Sequence, residues 1–204
     1  MSVPHIPLPA QGRGDLKGPA PVSLDWAYKD PETPLPVVLA VRRPLDPAED
    51  PRGLHWALGW PILPDKSIWR SLQVYEHYRE YDPPPQPRLV FWGPMTTSES
   101  PGINAMRHVP LKTMTLEERR AMEAIAQGME VYAPNGVWNC QNWVKTVLGE
   151  AVEKGLLSAE ECERTVNEAE LPDAGTEEVV LIRVAMCVLD QREYRASSAV
   201  DVRQ

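Results

Sequence analysis

The stretch Leu54-His55-Trp56-Ala57-Leu58-Gly59-Trp60 decides how the rest of the chain is read. Leu54, Trp56 and Leu58 alternate with His55 and Ala57, the period of two that a half-buried strand requires. A turn over 61–66 follows, and then residues 68–76, in which Ile68, Leu72 and Val74 share one parity while Gln73 and Tyr75 take the other. Two such runs joined by a short turn predict an antiparallel pair of strands. Upstream, Val37-Val38-Leu39-Ala40-Val41 suits a buried strand. Downstream, Arg88-Leu89-Val90-Phe91-Trp92 reads as a third strand closed by Gly93-Pro94, and Arg107 to Leu111 as a further candidate.

The second half carries helical signals. Thr115 with Glu118 three residues on is a capping box, and Leu116, Met122, Ile125 and Ala126 continue it until Gly128. After the loop at Pro134-Asn135-Gly136, Asn139 is a natural N-cap for a helix carrying Trp143, Val144, Val147, Leu148 and Val152, with Gly155 as its stop. Ser158 and Glu161 open a third, short helix, and Val179-Val180-Leu181-Ile182-Arg183-Val184 suggests a late strand over 178–189. No βαβ alternation is sustained, so the expected class is α+β, a small antiparallel sheet packed on two to three helices.

Composition places limits around this core. The chain has 204 residues, 43% of them hydrophobic, which is enough for one domain. Its 22 prolines crowd the first 64 residues and the run Pro83-Pro84-Pro85-Gln86-Pro87. Residues 1–35 show no apolar periodicity and are expected to form a disordered, proline-rich tail, residues 36–190 the folded domain and 191–204 a flexible C-terminal tail. A net charge of −8 without a basic cluster argues against a nucleic-acid partner. Cys140, Cys162 and Cys187 have neither disulfide-framework nor zinc spacing, so no metal and no cofactor is expected. No leader pattern and no transmembrane segment is evident, and the expected location is cytoplasmic.

One constellation could carry chemistry. If Asn139 caps the helix, Cys140 is its first residue, where unpaired N–H groups favour a thiolate. His55 is the histidine best placed to act as its base, and a third polar group on the neighbouring strand would orient the ring. The ordinary alternative is that Cys140 and His55 are packing residues, with Cys162 and Cys187 in the core and His5 and His108 in loops or on the surface. Trp56, Trp138 and Trp143 flank the constellation. They are candidate substrate-binding residues, or simply core fillers like the remaining tryptophans.

The segments Leu54-His55-Trp56-Ala57-Leu58 and Trp138-Asn139-Cys140-Gln141-Asn142-Trp143-Val144 resemble the paired motifs of circularly permuted NlpC-type papain-like proteins, the group that includes lecithin retinol acyltransferase relatives. Within it they are similar to uncharacterised fungal proteins with a His-Trp strand and an Asn-Cys-Gln-x-Trp helix start. His before Cys is the permuted order, and the similarity spans roughly residues 37–157. The resemblance implies Cys140 as nucleophile and His55 as general base, with the backbone N–H of Cys140 as an oxyanion donor. The family often has a second histidine in an Ile-His-Val pattern. Here Leu72-Gln73-Val74 puts Gln73 at that place, and His77 could replace it only by a slip of register.

These implications define three functions to weigh. The first is a thiol-dependent hydrolase or acyl/amide transferase acting through a Cys-His dyad on a small-molecule or peptide acyl substrate. The second is a catalytically impaired scaffold or binding module of the same fold, its Pro-rich N-terminus offering a polyproline II surface to a protein partner. The third is a tailoring enzyme of fungal specialised metabolism that reuses the same chemistry.

Overall fold

The computed structural model of the chain describes residues 5–14, 16, 20–46, 48–78, 87–98 and 102–172. Seven strands and three α-helices form an α+β fold. The strands are β1 (Leu35–Val41), β2 (Trp56–Leu63), β3 (Ile68–Leu72), β4 (Val74–Tyr78), β5 (Pro87–Phe91), β6 (Met95–Ser98) and β7 (Arg107–Met114). The helices are α1 (Leu116–Gly128), α2 (Cys140–Glu153) and α3 (Ala159–Glu170). Five strands make one antiparallel sheet in the order β6-β3-β2-β1-β7, and β4 and β5 pair separately.

Alternation along the strands separates two buried layers. Leu39, Trp56, Leu58, Trp60 and Leu72 point into the main core, which Met122, Ile125, Trp143, Val144, Val147 and Leu148 complete from α1 and α2. The opposite parity, Val38, Ala40, Ala57 and Trp69, is covered by Ile103. Ile103 sits directly over Gly59, where an added Cβ would come within 2.8 Å of its Cδ1 and 3.0 Å of the Arg70 carbonyl. A glycine in mid-strand therefore seats the segment that covers this face.

Particular elements depart from expectation for identifiable reasons. The run 68–76 is two strands, because the chain leaves the main sheet at Gln73 and β4 turns to pair with β5. The stretch 61–63, expected as turn, extends β2. β7 runs three residues beyond Leu111 and accommodates Pro110 at a register shift against Val37 and Val38, the irregularity at which a strand tolerates a missing donor. The edge strand β6 was not foreseen. All three helices carry capping boxes, at Thr115/Glu118, Asn139/Asn142 and Ser158/Glu161. The expected late strand and the tail from 191 lie outside the described residues.

The expectation that residues 1–35 form a disordered tail is corrected over 5–14 and 20–34. Leu8 donates its N–H to Val131 O and Leu24 to Thr96 O, each at 2.7 Å, and the Gln11 side chain donates to the carbonyls of Gln127 and Met129 at the C-terminal end of α1. The strongest tie is electrostatic. Arg119 on α1 is completely buried, and its guanidinium donates to the Asp30 carboxylate and to the carbonyls of Pro31, Thr33 and Met114. Asp30 also accepts from Trp60 Nε1 at 3.1 Å. A buried guanidinium is tolerable only with its donors satisfied, so the N-terminal segment is ordered by polar chelation where hydrophobic periodicity gives no signal.

Removing the Asp30 carboxylate should strand that charge. Asp30→Ala is expected to destabilise the protein by about 3–5 kcal/mol in urea unfolding, with no comparable loss for the exposed Asp65→Ala.

Candidate functional site

The site is assembled by a polar clamp between the start of α2 and the chain entering β2. Asn139 caps α2, its side chain accepting from the N–H groups of Gln141 and Asn142. Its amide also donates to Arg52 O at 2.7 Å. Gln141 is buried, and its Nε2 donates to Pro51 O at 2.7 Å and Leu54 O at 2.9 Å. Arg52 returns the contact by donating to Val137 O at 2.7 Å. Three residues of the Asn139-Cys140-Gln141-Asn142 stretch thus hold the helix end against 51–54, and the fourth carries the thiol.

The clamp delivers Cys140 to His55. The thiol and the imidazole lie close enough for each to shift the ionisation of the other, and the sulfur is 4.0 Å from Leu54 O. His55 Nε2 is 2.7 Å from Gln73 Oε1. With Nε2 engaged by Gln73, Nδ1 is the ring nitrogen left for the sulfur. The register explains the meeting of His55 and Gln73. The ladder of β2 and β3 ends at Leu58↔Leu72, so His55, just ahead of β2, and Gln73, just after β3, leave the same end of the sheet as neighbours. Gln73 Nε2 reaches Ser71 Oγ at 3.1 Å and Tyr75 Oη at 2.7 Å, and the Tyr75 ring stacks on His55 with centroids 6.4 Å apart. His77 takes no part in this arrangement: it pairs with Arg88 in the β4–β5 ribbon.

The electrostatics follow from these contacts. Burial pushes the Cys140 thiol up, but the His55 hydrogen bond and charge, with the backbone N–H groups of Trp56 and Gln141 on the sulfur, bring it below its usual range. For His55, burial pulls the imidazole down. The hydrogen bond and charge of Cys140 and the Gln73 contact outweigh it, so the ring holds its proton above its usual range. Each group stabilises the charged form of the other, the condition for a thiolate–imidazolium pair. Cys162 goes the opposite way, raised by burial and by Glu163 beside it.

A cavity of about 570 Å³ opens beside His55, lined by His55, Gln73 and Tyr75 together with Leu45, Ile103 and Met106; Cys140 is not among its lining residues. The three tryptophans named as substrate-binding candidates do not line it. Trp56 and Trp143 are no more than 1% exposed and Trp138 is 7% exposed. Trp143 packs on Phe91, Trp138 meets the edge of Tyr132, and Trp56 lies under the Lys145 ammonium. Strand parity turns Trp56 inward and helix parity Trp143, while Trp138, in the loop ahead of α2, packs into the same core. His108, expected in a loop or on the surface, is in β7 against Trp69, with Nε2 2.8 Å from Ile103 O, while His5 is exposed at the edge of Tyr132. Cys187 lies outside the described residues. Arg52 and the Tyr75 hydroxyl had no signal beyond their polarity in the sequence, whereas Gln141 stands in the Asn-Cys-Gln-x-Trp motif and the Asn139/Asn142 spacing of three is the trace a capping box leaves.

No family model, curated protein or solved structure matches the chain. No helix among the described residues is long and apolar enough to cross a membrane.

Two outcomes test the geometry. Iodoacetamide labelling followed peptide by peptide across pH should modify Cys140 with a midpoint below the ordinary thiol value and Cys162 with one above it. Coincident midpoints would contradict the pairing. Gln141→Ala, which leaves the buried Leu54 carbonyl and the more exposed Pro51 carbonyl short of a donor, should cost about 1–3 kcal/mol in chemical denaturation.

Proposed function

We propose that the chain is a thiol-dependent hydrolase or acyl/amide transferase of the permuted papain-like kind, with Cys140 as nucleophile, His55 as acid and base, and Gln73 as the group that orients the imidazole. The observation that carries this is the grouping of the Cys140 thiol, close enough to shift the ionisation of His55, with a His55 ring whose Nε2 is held 2.7 Å from the Gln73 amide oxygen. His before Cys, just ahead of β2 and on a capped helix respectively, is the order the resemblance implies. A cytoplasmic, reducing setting suits the free thiols Cys140 and Cys162.

The chemistry follows from the arrangement. The Cys140 thiolate attacks the acyl carbonyl carbon, and the carbonyl electron pair moves to oxygen. In the first turn of α2 the N–H groups of Gln141 and Asn142 go to the Asn139 side chain and that of Trp143 to Asn139 O. The Cys140 N–H is then the helix-end donor for the oxyanion. Collapse of the tetrahedral species breaks the bond to the leaving group, which takes the proton from imidazolium and leaves a thioester. His55 then accepts a proton from water, or from an amine or alcohol acceptor, as that nucleophile cleaves the thioester.

Two further readings share the site. The fungal tailoring enzyme uses the same steps with a dedicated acceptor. The impaired scaffold draws its support from Gln73, which has no charge to offer an imidazolium. Against the scaffold, the described parts of the N-terminus are bound to their own domain through Leu8, Gln11, Leu24 and Asp30, so they do not serve as a free proline-rich docking arm.

Incubation with a panel of activated acyl esters should give an adduct on Cys140 that hydroxylamine removes, detected by intact mass. Cys140→Ala should abolish the adduct, and His55→Ala should slow its formation by about 10²–10⁴-fold. An adduct of undiminished yield on Cys140→Ala protein would refute the assignment.

A further inference from the structure

Gln73 is a buried primary amide, 6% exposed, with an acceptor end and a donor end, and only one orientation suits the chemistry. With Oε1 on His55, Nε2 of the ring carries a proton and Nδ1 is free to take one from Cys140. With the amide reversed, its NH₂ would face the ring, Nε2 would have to accept, and Nδ1 would hold the proton that blocks the thiol. A charged imidazolium bears protons on both nitrogens and can face only the oxygen. The amide then needs acceptors for its own two N–H groups. Ser71 Oγ, on a residue 1% exposed, and Tyr75 Oη stand at that end, at 3.1 and 2.7 Å.

We propose that Ser71 and Tyr75 are positioning residues that hold the Gln73 amide oxygen on His55, and that the Tyr75 hydroxyl thereby sets the tautomer of the imidazole and the readiness of Cys140 to ionise. This deepens the Cys140–His55 assignment and rests on it. Neither hydroxyl touches the reacting atoms. Tyr75 also lines the cavity, so the group that steadies the imidazole stands where a bound molecule would meet it. The other titratable or charged groups around the pair are Cys140 from α2, Arg42 and Arg43 just beyond β1, and Glu76 from β4. Arg42 opposes protonation of His55 and is itself paired with Glu49. None of these donates to or accepts from the Gln73 amide, so a change confined to the Tyr75 hydroxyl isolates the proposed relay.

The test is the pH profile of Cys140 alkylation in full-length protein, measured for wild type, Tyr75→Phe, Gln73→Ala and the double variant. Phenylalanine keeps the ring against His55 and removes one acceptor for a buried N–H. The midpoint should rise by about one pH unit. In the Gln73→Ala background the same change should have no further effect, because the amide it steadies is gone. An unmoved midpoint in Tyr75→Phe, or an equal shift with and without Gln73, overturns the relay while leaving the dyad standing. A wild-type midpoint at the ordinary thiol value, unaltered by His55→Ala, would instead refute the dyad on which the relay depends. Circular dichroism of each variant separates these outcomes from misfolding, and Ser71→Ala supplies the second variant should Tyr75→Phe fail to fold.

Discussion

The structure turns on one contact, the Gln141 amide donating to the carbonyls of Pro51 and Leu54. Those carbonyls belong to the loop that feeds β2, and the next residue after Leu54 is His55. A buried amide satisfied by two backbone acceptors has little freedom to slide, so the helix end and the strand entrance are fixed relative to one another. Cys140 and His55, one residue away on either side, are brought into register as a consequence. The Asn139 cap, with its second bond to Arg52 O, orients the same junction. The two side chains are thus positioned by the residues on either side of them.

A second tier of polar ties locks the surrounding frame. Arg119 gathers Asp30 and three backbone carbonyls inside the protein, joining α1 to a segment that precedes the first strand. Arg70 on β3 bonds Glu123 of α1, Asp25 and Thr96 of β6. Both arginines place planar guanidinium groups where sheet, helix and N-terminal segment converge, the role for which a rigid fork of donors is suited. The proline-rich start of the chain is therefore part of the frame around the sheet. Desolvating such charges gains little net stability, but it leaves few alternative ways to assemble the pieces.

How much of this could be read in advance follows from the range of each interaction. His55, Cys140 and the helix caps were legible because strand alternation, Asn before an apolar helix and the Ser/Thr-x-x-Glu spacing are local patterns. The break at Gln73 was hidden because parity runs unchanged from Leu72 to Val74, and only the separate pairing of β4 with β5 reveals it. β6, Met95-Thr96-Thr97-Ser98, is short and largely polar, as an edge strand can be, and leaves no alternation to detect. The order of residues 20–34 rests on Asp30 and Arg119, which are 89 positions apart. Trp56, Trp138 and Trp143 were evident as large aromatic groups beside the site, but whether each faced the cavity or the core depended on packing that the sequence does not encode locally.

Gln73 shows how an uncharged side chain can occupy an orienting position. It supplies a dipole to His55, and on the proposed reading the Cys140 sulfur, more than any carboxylate, supplies the balancing charge. The charge on each partner then depends on the other, and this mutual dependence is the central physical claim. It is tested most directly by NMR titration of the His55 imidazole in wild-type protein and in Cys140→Ala. The account predicts that His55 holds its proton above pH 6.5 in the wild type and falls once the sulfur is removed, because burial and Arg42 are then opposed by the Gln73 contact alone. A His55 that titrates identically in the two proteins would contradict it.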